Sequence, residues 1–179
     1  MRIPWRILYH LIVLPVILIL LTGIQTSFWL QLLGPFPTPQ LWIVVLTYLI
    51  THRPFWISLG MGYLFSVILT GFTAWPFEYI LTSAMVLVGV SQLLKDRIYS
   101  SGPNYFIALC GWNVFLFHVC YTFLGMLKED IPFARVSLFD FILSPLLSVL
   151  LAFPVFSGLR MLDRIFKEDA DLQTGNSIT

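Results

Sequence analysis

The side chains able to do chemistry are few and scattered. His10, His52 and His118 fall in three different apolar segments, and only His118 sits in the middle of one. Zinc hydrolysis needs paired histidines at H-E-x-x-H spacing, acyl transfer a nucleophile elbow such as G-x-S-x-G, and phosphate chemistry a Gly-rich Walker loop. The sequence contains none of these, and no paired acids inside an apolar run. The reading is therefore of a non-enzyme with no catalytic residues, no metal and no cofactor.

Two acids lie where an apolar segment begins: Glu78, after Trp75-Pro76-Phe77, and Asp140. A carboxylate in the first turn of a helix meets free N–H groups and the positive end of the helix dipole. The alternative is a pair facing one outer cavity together with Trp75. Asn113 and His118 are the deepest strongly polar residues and share a segment. Five positions turn a helix by about 140°, so the two face different neighbours and are expected to make separate interhelical hydrogen bonds. Cys110 and Cys120 sit about 15 Å apart along one helix, too far to form a disulfide. Arg160, Arg164 and Lys167 form a basic stripe suited to anionic headgroups.

The strongest spacing signal comes from small residues. Ser58, Gly62, Ser66 and Thr70 recur every four positions, and so do Asp140, Ser144, Ser148 and Ala152. Such ladders let helix backbones approach closely where lipid supplies no hydrophobic drive. They serve either packing within this chain or contact with a partner's transmembrane helix.

The elements that must hold these residues follow from composition. Of 179 residues, 58% are hydrophobic and 11% charged, less than half the charge of an ordinary soluble domain. Six apolar segments can be drawn, at about 7–25, 40–52, 55–73, 77–94, 103–127 and 138–159. All but the second reach the roughly 20 residues a membrane helix needs. Unpaired backbone groups are too costly in lipid for open sheets, and the runs are too uniformly apolar for barrel strands. Trp5, Trp29, Trp42, Trp56, Trp75 and Tyr99 stand near segment ends and suit interfacial anchoring. The expected fold is an all-α bundle of six transmembrane helices over 1–166, with a disordered cytoplasmic tail over 167–179.

Charge sets the topology. With six crossings and a cytoplasmic N-terminus, Arg2, Arg6, Arg53, Lys95, Arg97, Arg160, Arg164 and Lys167 lie inside, and Lys128 and Arg135 outside. That asymmetry is what the positive-inside rule asks for; omitting the second segment brings the division close to even. No small-x-small cleavage site follows the first apolar run, so it reads as a retained anchor. Net charge is +1 with no basic stripe long enough to track phosphates, which argues against nucleic acid.

One stretch carries a likeness. Thr38-Pro39-Gln40-Leu41-Trp42, Tyr48-Leu49-Ile50-Thr51-His52-Arg53-Pro54, and the Gly-rich run from Gly60 to Gly71 together resemble the bacterial rod shape-determining MreD family. That family shows a Pro-led short span with a Tyr, then Arg-Pro, then a Gly-rich helix. The likeness covers about 38–94 and is hydropathic elsewhere. The family usually carries an Asp in that third helix, where this chain has Ser66 or Val67. The resemblance implies an inner-membrane scaffold of the cell-elongation complex, regulating peptidoglycan synthesis. Its partners would be an MreC-like membrane protein, MreB, RodA, a penicillin-binding protein and membrane lipids. The family is similar in fold to S components of energy-coupling-factor vitamin transporters. The alternative is therefore a vitamin-binding subunit using an outer cavity near Trp75, Glu78 and Asp140. The first segment lacks the small-residue stripe with which such subunits meet their transport partner.

Overall fold

A computed structural model describes residues 12–34, 36–97, 103–129 and 138–175; for 30, 33, 96, 97, 129, 138 and 166–175 it describes the backbone alone. Among them there are six helices and no strand. The first apolar run forms α1, Leu14–Gly23, prolonged by a π-helical stretch, Ile24–Phe28, and a last α-helical turn, Trp29–Leu33. The others are α2 (Leu41–His52), α3 (Phe55–Thr70), α4 (Phe77–Arg97), α5 (Pro103–Glu129) and α6 (Leu138–Gly175).

The boundaries have local causes. Gly34, at φ 58° just past α1, takes the left-handed conformation that ends helices and that a Cβ disfavours. Arg53 is extended before Pro54, as the residue preceding a proline must be, and Pro54 caps α3. Pro145 and Pro154 lie inside α6 without ending it. The backbone of α6 stays helical to Gly175, through most of the stretch whose polar composition suggested a tail.

The first segment was expected to end at Gln25, where the chain turns polar. It continues because those polar groups find partners. Thr26 donates its hydroxyl to the Thr22 carbonyl at 2.9 Å, and Gln25 accepts from the Leu41 amide at 3.1 Å.

Everything is arranged about α2. Each of its residues from Leu41 to Ile50 is buried, and α1, α3, α4, α5 and α6 all pack on it. Around it α1 packs on α3, α3 on α4, α4 on α5 and α5 on α6. A helix apolar on every side belongs in the middle of a bundle. Twelve residues span about 18 Å, short of the roughly 30 Å of bilayer hydrocarbon. Such a helix is viable at membrane depth only when protein covers its ends and flanks.

The outer surface is apolar. Ile142, Leu146, Leu150 and Phe153 on α6, and Val16, Leu20, Ile24 and Phe28 on α1, are exposed. Three helical stretches, Phe77–Lys95, Pro103–Lys128 and Phe139–Ile165, are long and apolar enough to cross a membrane. Trp56, 77% exposed, fits the anchoring expected of end-of-segment aromatics. Trp42 does not: it is buried against Phe117, its indole N–H donating to Gln40 Oε1 at 3.0 Å. Trp5 and Tyr99 lie outside the described residues, as do Arg2, Arg6, His10 and Arg135.

Candidate functional site

The two small-residue ladders point inward. Ser58, Gly62 and Ser66 of α3 are buried, as are Ser144, Ser148 and Ala152 of α6. A Cβ built on Gly62 would meet Val88 at 3.5 Å and Leu46 and Met85 at 3.8 Å, so this glycine brings α3 against α2 and α4. The ladder hydroxyls are satisfied by their own helix: Ser66 donates to Gly62 O and Thr70 to Ser66 O, each at 2.8 Å. The α3 contact is thus one of shape. Thr70, the fourth rung, is exposed.

On α6 the serines do more. The Ser144 hydroxyl donates to Thr38 O at 2.9 Å. Ser148 accepts from the Gln40 amide at 2.8 Å while donating to Ser144 O at 2.7 Å. With Gln25 accepting from Leu41 N, the first two amides at the start of α2 are met by side chains from α6 and α1. A helix start carries N–H groups that its own turns cannot satisfy, and this one is buried. Beside it is a cavity of about 170 Å³ lined by Thr22, Gln25, Thr26, Thr38, Gln40 and Thr73, with Trp42, Leu69 and Trp75.

The opposite end of α2 is held by charge. Asp163 of α6 accepts from the Tyr48 hydroxyl and from Arg53 Nη2, each at 2.7 Å, and His52 stacks on Tyr48 at 4.4 Å between ring centroids. Lys95 of α4 donates to Ile50 O at 3.0 Å, occupying a carbonyl of the last turn. Halfway along, Asn113 of α5 accepts from Ser91 of α4 at 2.6 Å and donates to Thr47 of α2 at 2.9 Å.

Trp75, Glu78 and Asp140, the alternative members of one outer cavity, fall in different surroundings among the described residues. Trp75 lines the cavity beside Gln40; Glu78 lies on a groove with Lys128, its ion-pair partner. Asp140 lines neither and sits in the first turn of α6, as Glu78 does in α4. The interhelical bond expected of Asn113 is present. That expected of His118 is corrected: its Nε2 is buried without a hydrogen-bond partner among the described residues, and the ring lies 5.6 Å from Phe141. Cys110 and Cys120 are free thiols. Arg160 and Arg164 flank a groove with Pro103 at the start of α5; of the stripe's third member, Lys167, no side chain is described.

No family model matches this chain, and neither does any curated protein or solved structure.

Sequence reasoning missed three features. Gln25 looked like the polar exit of a membrane segment, and it is a buried ligand of the α2 start. Asp163, near the end of an apolar run, pairs with a residue 110 positions earlier. Gly111 belongs to no ladder, yet a Cβ there would lie 2.9 Å from Val149 Cγ2. A lone glycine in an apolar run was the only signal available for the last.

Proposed function

We propose that this chain crosses the membrane six times, with both ends cytoplasmic, and acts without bond-making as a scaffold of the rod-type wall-elongation complex. It positions an MreC-like partner, and through it MreB, RodA and a penicillin-binding protein. The observation that carries this reading is the use of the residues behind the resemblance. Tyr48 and Arg53 both bind Asp163, Pro54 starts α3, and Gly62 admits α3 against α2 and α4. The motif builds the buried α2 and its turn into α3, and leaves the apolar outer faces of α1, α3 and α6 for lipid and for a partner's helix. Because Gly62 and Ser66 are interior, partner contact belongs to exposed rows such as Trp56, Tyr63 and Val67 on α3.

Depletion in a rod-shaped host, followed by microscopy and by co-purification with an MreC-like protein, tests this. Rounded cells and a retained partner are expected. Cells that stay rod-shaped on depletion, with no such partner recovered, refute it.

A further inference from the structure

We propose that the cavity at the start of α2 binds an uncharged, hydrogen-bonding small molecule or headgroup. The proposal goes beyond the scaffold reading and does not rest on it. Three observations converge on it.

The first is the lining. All nine residues around this space of about 170 Å³ are uncharged: four threonines, two glutamines, two tryptophans and Leu69. A charged ligand would lose its hydration with no counter-charge supplied in return. A neutral group carrying hydroxyls or an amide would find donors and acceptors of its own kind. At roughly 30 Å³ per water in the liquid, the space suits a single ring or a single headgroup.

The second is an unspent polar group. Thr22 lines the cavity, is 1% exposed, and its hydroxyl has no hydrogen-bond partner among the described residues. A buried hydroxyl left unpaired is costly. Its neighbours are committed otherwise: Thr26 donates to Thr22 O, Thr73 to Leu69 O at 3.0 Å, and Gln40 Oε1 takes the Trp42 indole N–H. Among the lining groups that are fully buried, the Thr22 hydroxyl is the one left without a partner among the described residues.

The third is rigidity. Gln25 and Gln40 sit 7% and 4% exposed, held between α1, α2 and α6 by the bonds to Leu41 N and from Gln40 N to Ser148. The polar groups are fixed before any ligand arrives, which lowers the ordering cost of binding. The π-helical stretch of α1 carries Gln25 and Thr26, and such stretches recur at functional sites.

The test uses the full chain in detergent and in lipid nanodiscs, with ligand-observed saturation-transfer NMR. The probes are benzamide against benzoate, and glucose against glucuronate, pairs that differ chiefly in charge. Saturable binding of at least one neutral probe is expected, with its anion at least about tenfold weaker. Thr22→Val keeps the shape and removes the hydroxyl; loss of one hydrogen bond weakens neutral-probe binding about three- to tenfold, while the thermal midpoint of unfolding without ligand stays the same or rises, because an unpaired buried hydroxyl is gone. Thr26→Met, which narrows the cavity, gives an independent loss. Nanodiscs containing a glucosyl-diacylglycerol separate the sources. Competition with free glucose identifies a lipid headgroup, and its absence a soluble molecule; either outcome supports the site. Failure of both neutral probes to bind, equal binding by the anions, or equal binding by both variants overturns the proposal.

Discussion

Asp163 shows how far a single side chain can reach in this bundle. Its carboxylate takes one bond from Tyr48 and one from Arg53, and so ties the C-terminal end of α2 to α6. Hydrogen bonds to charged groups are each worth about 1.5–3 kcal/mol, and the pair is about three-quarters covered. Asp163→Ala is therefore expected to cost about 2–3 kcal/mol, read as a lower midpoint of thermal unfolding in detergent. Asp163→Asn, which can still accept from Tyr48, is expected to lose about half as much. Asn113 makes the contrasting case. It is fully buried, but interhelical bonds in membranes average only about 0.6 kcal/mol, so Asn113→Ala is expected to cost about 1 kcal/mol. A larger penalty for Asn113→Ala than for Asp163→Ala would reverse this ranking. None of these pairings was legible in the sequence, because a polar residue in an apolar run announces that it needs a partner without saying which.

Between elements, what decides is how closely backbones approach. Gly62 leaves ordinary contact distance to its neighbours, so Gly62→Ala is expected to be nearly neutral. Gly62→Leu forces the surroundings of Leu46 and Val88 apart and costs about 1–3 kcal/mol, the usual penalty of overpacking. Gly111 is tighter. Gly111→Ala alone drives a methyl against Val149, a β-branched side chain with little rotamer freedom, and is expected to lower the unfolding midpoint; Val149→Ala in the same chain is expected to restore it. Additive losses in the double variant would show that the two helices do not touch there. The four-residue spacing made Ser58, Gly62, Ser66, Ser144, Ser148 and Ala152 visible from the sequence alone. Gly111, which has no repeat to mark it, was not.

At the scale of the whole molecule, α2 sets the plan. Its two ends are marked by different chemistry. Gln25, Gln40, Ser144 and Ser148 stand at one, and Tyr48, Arg53, Lys95 and Asp163 at the other, so successive helices run in alternating directions between them. This order gives a topology forecast. Cysteines introduced near Lys95 and at the C-terminus should react with a membrane-impermeant maleimide from the same face, and one beside Lys128 from the opposite face. Labelling of the Lys95 and C-terminal sites from opposite faces would remove one crossing and the six-helix plan with it.

Composition and run length by themselves determined that the chain is helical and about where its six segments lie, and spacing showed which small residues recur on one helix face. Those properties follow from the cost of unpaired backbone in an apolar medium, which each segment settles locally. The tertiary structure alone decided that the shortest segment is the centre, that Gln25 belongs to the interior, and that Glu78 pairs with Lys128. The physical reason is that lipid and protein interior are equally apolar. Hydropathy separates both from water but cannot tell a face that meets a neighbouring helix from one that meets an acyl chain.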